Sequence, residues 1–174
     1  MPGTDQELDR LVAVFGVTIQ PSDVVLDIGS GVEHFAPALA EQAERVVSVR
    51  VSDEGDSLEG IEDESIDVCL SHAVLRQLSD PAVTLRYVEE IGRVLKPKGW
   101  ALIQVSNDPA AHPRASLKGR LGALVGRSPR GDSGSAVDVG DVRTAAGRAH
   151  LDLDRVWGAG TDSCELLLRR PAGA

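Results

Sequence analysis

The chain is 174 residues long, 42% hydrophobic and 3% aromatic, with a formal net charge of -9. That length suits one domain, 1–174, with a core large enough to fold alone, and the acidic balance argues against nucleic acid as a partner because phosphate binding needs a basic surface. No apolar run is long enough to span a bilayer and no basic-then-apolar leader opens the sequence, so the expectation is a cytoplasmic protein that makes no membrane contact.

In chain order, Thr4 followed by Glu7 reads as a capping box, and Leu8, Leu11, Val12 and Phe15 fall on one face of a short amphipathic helix. An apolar strand over 24–28 then enters the tight turn Gly29-Ser30-Gly31, after which the Phe35, Leu39 and Ala43 spacing predicts a second helix. Residues 45–51 form the next apolar strand. Residues 66–71 form another, apolar enough to be covered on both faces as central parallel strands are. Asp80 before Pro81 is an N-cap and first-turn pair, and Leu85, Val88, Ile91 and Leu95 carry the apolar stripe of a helix that Pro97 and Gly99 end. A strand over 100–105 follows.

From 108 to 135 the composition shifts to Ala, Gly, Arg, Ser and Pro, which predicts a mobile insertion or lid. A weaker helix at about 137–149 leads to strands at 151–157 and 163–169, antiparallel because only the Gly158-Ala159-Gly160-Thr161-Asp162 turn joins them. Alternating strands and helices that end in such a hairpin predict an α/β fold: a mostly parallel sheet with helices on both faces. Cys69 and Cys164 sit in apolar strands with no further cysteine or histidine at metal-ligand spacing, so both read as buried free thiols and no metal is expected.

Charge is unevenly spread. Between Ser52 and Asp67 stand eight acids (Asp53, Glu54, Asp56, Glu59, Glu62, Asp63, Glu64, Asp67) and no Lys or Arg. Between Asp108 and Arg130 five basic residues (Arg114, Lys118, Arg120, Arg127, Arg130) face a single acid. Either segment reads equally well as a solvated loop.

The segments VVLDIGSG, DESIDVCLSHAVLRQLSDPAVTLRYVEEIGRVLKPKGWALIQVS and LDLDRVWGAGTDSCELLLRRP together resemble the small class I S-adenosylmethionine-dependent methyltransferases of the methyltransferase type 11 kind. The resemblance implies a Rossmann-like sheet with the cofactor lying across the carboxyl ends of the first strands. It implies that Asp27, Gly29 and Gly31 contact the methionine part of the cofactor, glycine allowing close backbone approach, with Ser30 also among the cofactor-binding residues. Asp56 and Ser57, in GDSLEG, resemble the segment whose carboxylate reads the adenine amino group. Ser71 and His72 match the end of the family's fourth strand, beside the methyl group, which makes His72 the candidate base. A histidine that merely caps a strand end is an equally good reading. His112 and Arg114, on the 108–135 segment, are candidates to meet an anionic acceptor.

Three departures from the family pattern stand out. Arg50 occupies the position at the end of strand two where the family carries a ribose-binding carboxylate, and a guanidinium has donors but no acceptor. Glu33 replaces the third glycine of the turn. A Glu33–Arg50 ion pair across the pocket mouth is expected, either blocking the ribose site or leaving Glu33 to take over the ribose hydroxyls. Between strand two and GDSLEG only residues 52–54 intervene, too few for a parallel crossover, so the family's third strand and the helix before it are expected to be absent. Strand two then becomes an edge carrying Val46, Val47, Val49 and Val51, which predicts a homodimer or a partner protein. The function expected is methyl transfer from S-adenosyl-L-methionine to a small-molecule acceptor. Loss of the cofactor, leaving a non-catalytic binding or regulatory partner, and a different reaction such as a cyclisation are the alternatives.

Overall fold

A computed structural model describes residues 2–29, 35–54, 58–111 and 135–173, with 2–5 and 111 described by backbone alone. The elements run α1 (Pro2–Phe15), β1 (Val24–Gly29), α2 (Ala36–Gln42), β2 (Arg45–Arg50), β3 (Ile66–Ser71), α3 (Pro81–Val94), β4 (Leu95–Val105), α4 (Val139–Arg148), β5 (Asp152–Trp157) and β6 (Cys164–Arg169). Short 3-10 turns cover Leu75–Gln77 and Pro109–Ala111. The strands form one sheet in the order β2-β1-β3-β4-β6-β5, parallel from β2 through β4, with β6 antiparallel to both of its neighbours. This is the expected α/β architecture, with β2 at one edge and no further strand between β2 and β3 among the described residues.

Strand alternation sends successive side chains to opposite faces, and each face has its own core. On one side Leu26, Ile28, Cys69, Ala101, Ile103, Leu166 and Leu168 pack against Val83, Tyr87, Val88, Ile91 and Val94 of α3 and Val142, Ala145 and Ala146 of α4. On the other, Val25, Val68, Leu70, Trp100, Leu102 and Leu167 pack against Leu8 and Phe15 of α1 and Ala38 and Leu39 of α2. The β2 valines and the adjoining Val51 are partly buried: Val47, Val49 and Val51 lean on the first core and Val46 on the second. Among the described residues no helix is long and apolar enough to cross a membrane. Both cysteines are free and buried, and burial pushes the Cys164 thiol up to about 11.

Asp80 caps α3, its Oδ1 accepting from the Ala82 amide at 2.9 Å, and Asp138 caps α4 in the same way through Gly140 at 2.7 Å. α3 and α4 approach closely because Gly92 has no Cβ; one placed there would lie 2.5 Å from the Ala149 carbonyl oxygen. Three expectations need correction. α1 begins at Pro2, so Thr4 lies inside the helix rather than ahead of its first turn. β4 takes over directly from α3 at Leu95, with Pro97 and Gly99 inside the strand, where the register slips between Ile66 and Val68 and Lys98 adopts φ +72°. The buried stripe of α3 runs through Val83, Tyr87, Val88, Ile91 and Val94, while Leu85 is only half-buried.

The acidic segment is held to α3. Arg93 donates to the carbonyls of Ile61 (2.8 Å) and Leu58 (3.2 Å) and pairs with Asp63 and Glu90. Arg86 donates to the Glu54 carbonyl at 3.2 Å, and the Tyr87 hydroxyl accepts from the Ser52 amide at 2.9 Å. Arg86 and Arg93 stand seven positions apart, two helical turns, so one face of α3 meets both ends of the segment.

Candidate functional site

Rows of side chains crossing the α1 side of the sheet lead to the site. The first row, Val25-Val68-Trp100-Arg169, and the second, Asp27-Leu70-Leu102-Leu167, follow directly from the strand registers. Trp100, Leu70, Leu102 and Leu167 are buried, as packing under α1 requires. Beyond them, at the C-terminal ends of β3 and β4, the face turns polar: His72 follows β3, Gln104 lies on β4, and Glu165 opposite it on β6.

These groups are tied together. The Gln104 side-chain oxygen accepts from the Ala73 amide at 3.1 Å, and its amide bonds the Glu165 carboxylate. Ala73 adopts φ +61°, a left-handed conformation that costs an L-residue about 1 kcal/mol, and this turn sends the chain away just after His72. The His72 Nε2 lies 3.3 Å from Glu7 Oε1 of α1, and its ring stands against Phe35 with centroids 5.5 Å apart. Ser71 is buried, its hydroxyl donating to the Ile28 carbonyl at 3.2 Å and so fastening β3 to β1.

A pocket of about 280 Å³ opens over this row, lined by Glu7, Arg10, His72, Trp157, Ser163 and Glu165, among others. A smaller apolar recess beneath it reaches Leu70, Ser71 and Phe35. Burial raises the Glu165 carboxyl above the ordinary carboxylate range, and the nearby Glu7 charge adds to this, against the opposing effects of the Gln104 bond and Arg10. Just past β4, Asn107 ties two neighbouring segments together: its amide nitrogen donates to Val137 O at 2.7 Å and its oxygen accepts from the Gly160 amide at 2.8 Å.

On the other flank, β1 carries Asp27, buried at 7% exposure, and ends at Gly29. Arg50 is the register partner of Gly29, and the Val51 amide donates to the Gly29 carbonyl at 2.9 Å. Arg50 is exposed. The strand-two position assigned to it from sequence is therefore the one it holds in the sheet. Ser30, Gly31, Glu33, Asp56, Ser57, His112 and Arg114 lie outside the described residues, and with them the expected Glu33–Arg50 pair and most of the 108–135 segment. Among the described residues no group of three or more His, Cys, Asp and Glu could hold a metal ion.

Sequence reasoning missed Glu7 as a partner of His72, and it missed Gln104 and Glu165 altogether. A signal for the last two was present, since each is a polar residue interrupting a strand that is otherwise apolar, LIQV and CELLL.

A family model described as a methyltransferase domain matches residues 3–141. The chain belongs to that family. Its sheet is that of the class I methyltransferases, and solved structures share it at low identity. A Galdieria sulphuraria protein assigned as a sarcosine dimethylglycine methyltransferase is 16% identical, with a TM-score of 0.63 over 97% of this chain and 86% of its own. The 1,6-didemethyltoxoflavin-N1-methyltransferase of Burkholderia thailandensis, solved with 1,6-didemethyltoxoflavin and S-adenosylhomocysteine, is 15% identical, with a TM-score of 0.57 over 97% of this chain and 79% of its own. The [4+2]-cyclase SpnF is 15% identical, with a TM-score of 0.61 over 97% and 81%. A search of curated protein sequences finds no match.

The described residues suit only part of this family's cofactor. Buried Asp27 and the strand-ending Gly29 suit its methionine end. Arg50, beside Gly29, offers a ribose only donors, where two hydroxyls call for an acceptor.

Proposed function

We propose that this domain transfers a methyl group from S-adenosylmethionine to a small-molecule acceptor seated over the ends of β3, β4 and β6. The observation that supports this is the change of the α1-side sheet face from the apolar Leu70-Leu102-Leu167 row to His72, Gln104 and Glu165 under a pocket of about 280 Å³. When bound, the cofactor supplies a methyl group activated by a sulfonium. Asp27, Gly29, Ser30 and Gly31 hold its methionine end and Asp56 and Ser57 its adenine, while Ser71 keeps the β1 and β3 ends together beside it. His72 is the acceptor's base. With Nε2–H donated to Glu7 the ring carries its lone pair on Nδ1, and the Glu7 carboxylate stabilises the imidazolium formed when Nδ1 takes a proton.

Calorimetric titration with S-adenosylmethionine and S-adenosylhomocysteine tests this reading: a Kd near micromolar, about -8 kcal/mol, is expected. Arg50 favours a second reading, a non-catalytic relative that has lost the cofactor and serves as a binding or regulatory partner. Absence of heat at millimolar ligand, together with binding newly created by Arg50→Asp, selects that reading. The β2 edge is where a second copy or a partner protein would pair, and light scattering at high concentration distinguishes a dimer from a monomer.

A further inference from the structure

We propose that the pocket under α1, taken as the acceptor site in the reading above, binds a small organic amine in its ammonium form, its nitrogen between the Glu7 and Glu165 carboxylates and its carbon body against Trp157 and Val14. Two carboxylates converge on the pocket from different elements, one on α1 and one on β6. Each carboxylate only accepts hydrogen bonds, whereas an ammonium brings up to three donors. Glu165 is half-buried and takes a bond from the single amide of Gln104, so a cation beside it replaces the hydration that burial removes.

The apolar side of the pocket points to the same ligand class. Val14, Val156 and Trp157 are the exposed large hydrophobics among the described residues, and two of them, Val14 and Trp157, line this pocket. Trp157 is 59% exposed and is the register partner of Glu165, which sets an indole side chain beside a carboxylate. That pairing attracts a cation by charge and by the ring quadrupole together. Arg10 also lines the pocket, is exposed, and acts by charge on Glu165, so the pocket is not uniformly acidic. It sets the competing possibility, an anionic ligand, which the test includes.

The test uses the full chain and three probes of one shape and different charge: benzylamine, benzyl alcohol and benzoate. Binding is followed by tryptophan emission. Trp157→Phe, which leaves Trp100 buried in the core, assigns the response. Benzylamine is expected to bind at least about tenfold tighter than benzyl alcohol, with benzoate weakest. Glu165→Gln is expected to bring benzylamine down to the level of benzyl alcohol, whose own saturable binding to the variant reports an intact pocket. Equal affinities, no saturable response, or benzoate binding tightest would overturn the assignment. S-adenosylmethionine is titrated in parallel. Cofactor binding without amine preference refutes the amine site and leaves methyl transfer standing, whereas amine preference without cofactor binding does the reverse.

Discussion

Replacing Arg93 by Ala removes the clamp that fastens the acidic segment to α3. Its guanidinium donates to two backbone carbonyls, Ile61 at 2.8 Å and Leu58 at 3.2 Å, and Leu58 itself is 1% exposed in the core beneath. Charge-assisted bonds to partly buried carbonyls contribute about 1.5 kcal/mol each at the lower end of their range. The pairs with Glu90 and the well-exposed Asp63 add about 0.5 kcal/mol each at most, because solvent screens them. The loss should therefore be about 3–4 kcal/mol. For a domain of this size that corresponds to a fall in Tm of about 10 °C. Urea denaturation at neutral pH, with the slope of the transition unchanged, is the measurement. Arg93→Lys keeps the charge, but one ammonium cannot reach both carbonyls and both carboxylates, so it should recover less than half of the loss. An Ala variant within about 1 kcal/mol of the parent, or a Lys variant equal to it, would show that the segment is held by apolar packing of Leu58 alone.

Gly92→Ala should cost about 2–3 kcal/mol by overpacking, and Ala149→Gly should not rescue it, since the Ala149 carbonyl oxygen is as close as its Cβ; thermal melts of the three variants decide this. Glu165 has a carboxyl raised by burial, so the stability linked to it is fully present below the ordinary carboxylate range and is lost as the pH rises through the raised value. Glu165→Gln cannot ionise and should be more stable than the parent at pH 7 but equal to it near pH 3, which denaturation at the two pH values measures. Given a methyl acceptor, His72→Asn should lower kcat about 100-fold and abolish the acidic limb of the pH profile, with S-adenosylmethionine affinity within about twofold of the parent. An unchanged pH profile would make His72 a strand cap.

The sequence by itself determined the order and type of the elements, because these depend on local periodicity and punctuation. Asp80-Pro81 started α3, the two-sided apolar run at 66–71 became the central β3, and the short turn at 158–162 left β5 and β6 no choice but to pair antiparallel. That no further strand follows β2 before β3 among the described residues was legible for the same reason, a count of residues too small for an additional crossover. Where local signals competed, the fold overrode them: Pro97 and Gly99 look like the punctuation that ends a helix, yet they lie inside β4, where pairing with β3 and β6 outweighs propensity. The site belongs to the tertiary structure. Glu7 and His72 are 65 positions apart, and Gln104 and Glu165 are 61 apart. Nothing in the neighbourhood of any of them along the chain indicates a partner. They meet because α1 lies across the sheet and the β4–β6 register sets Gln104 opposite Glu165, so which polar residues share a pocket is decided by strand order and helix docking, long-range choices that no local pattern encodes.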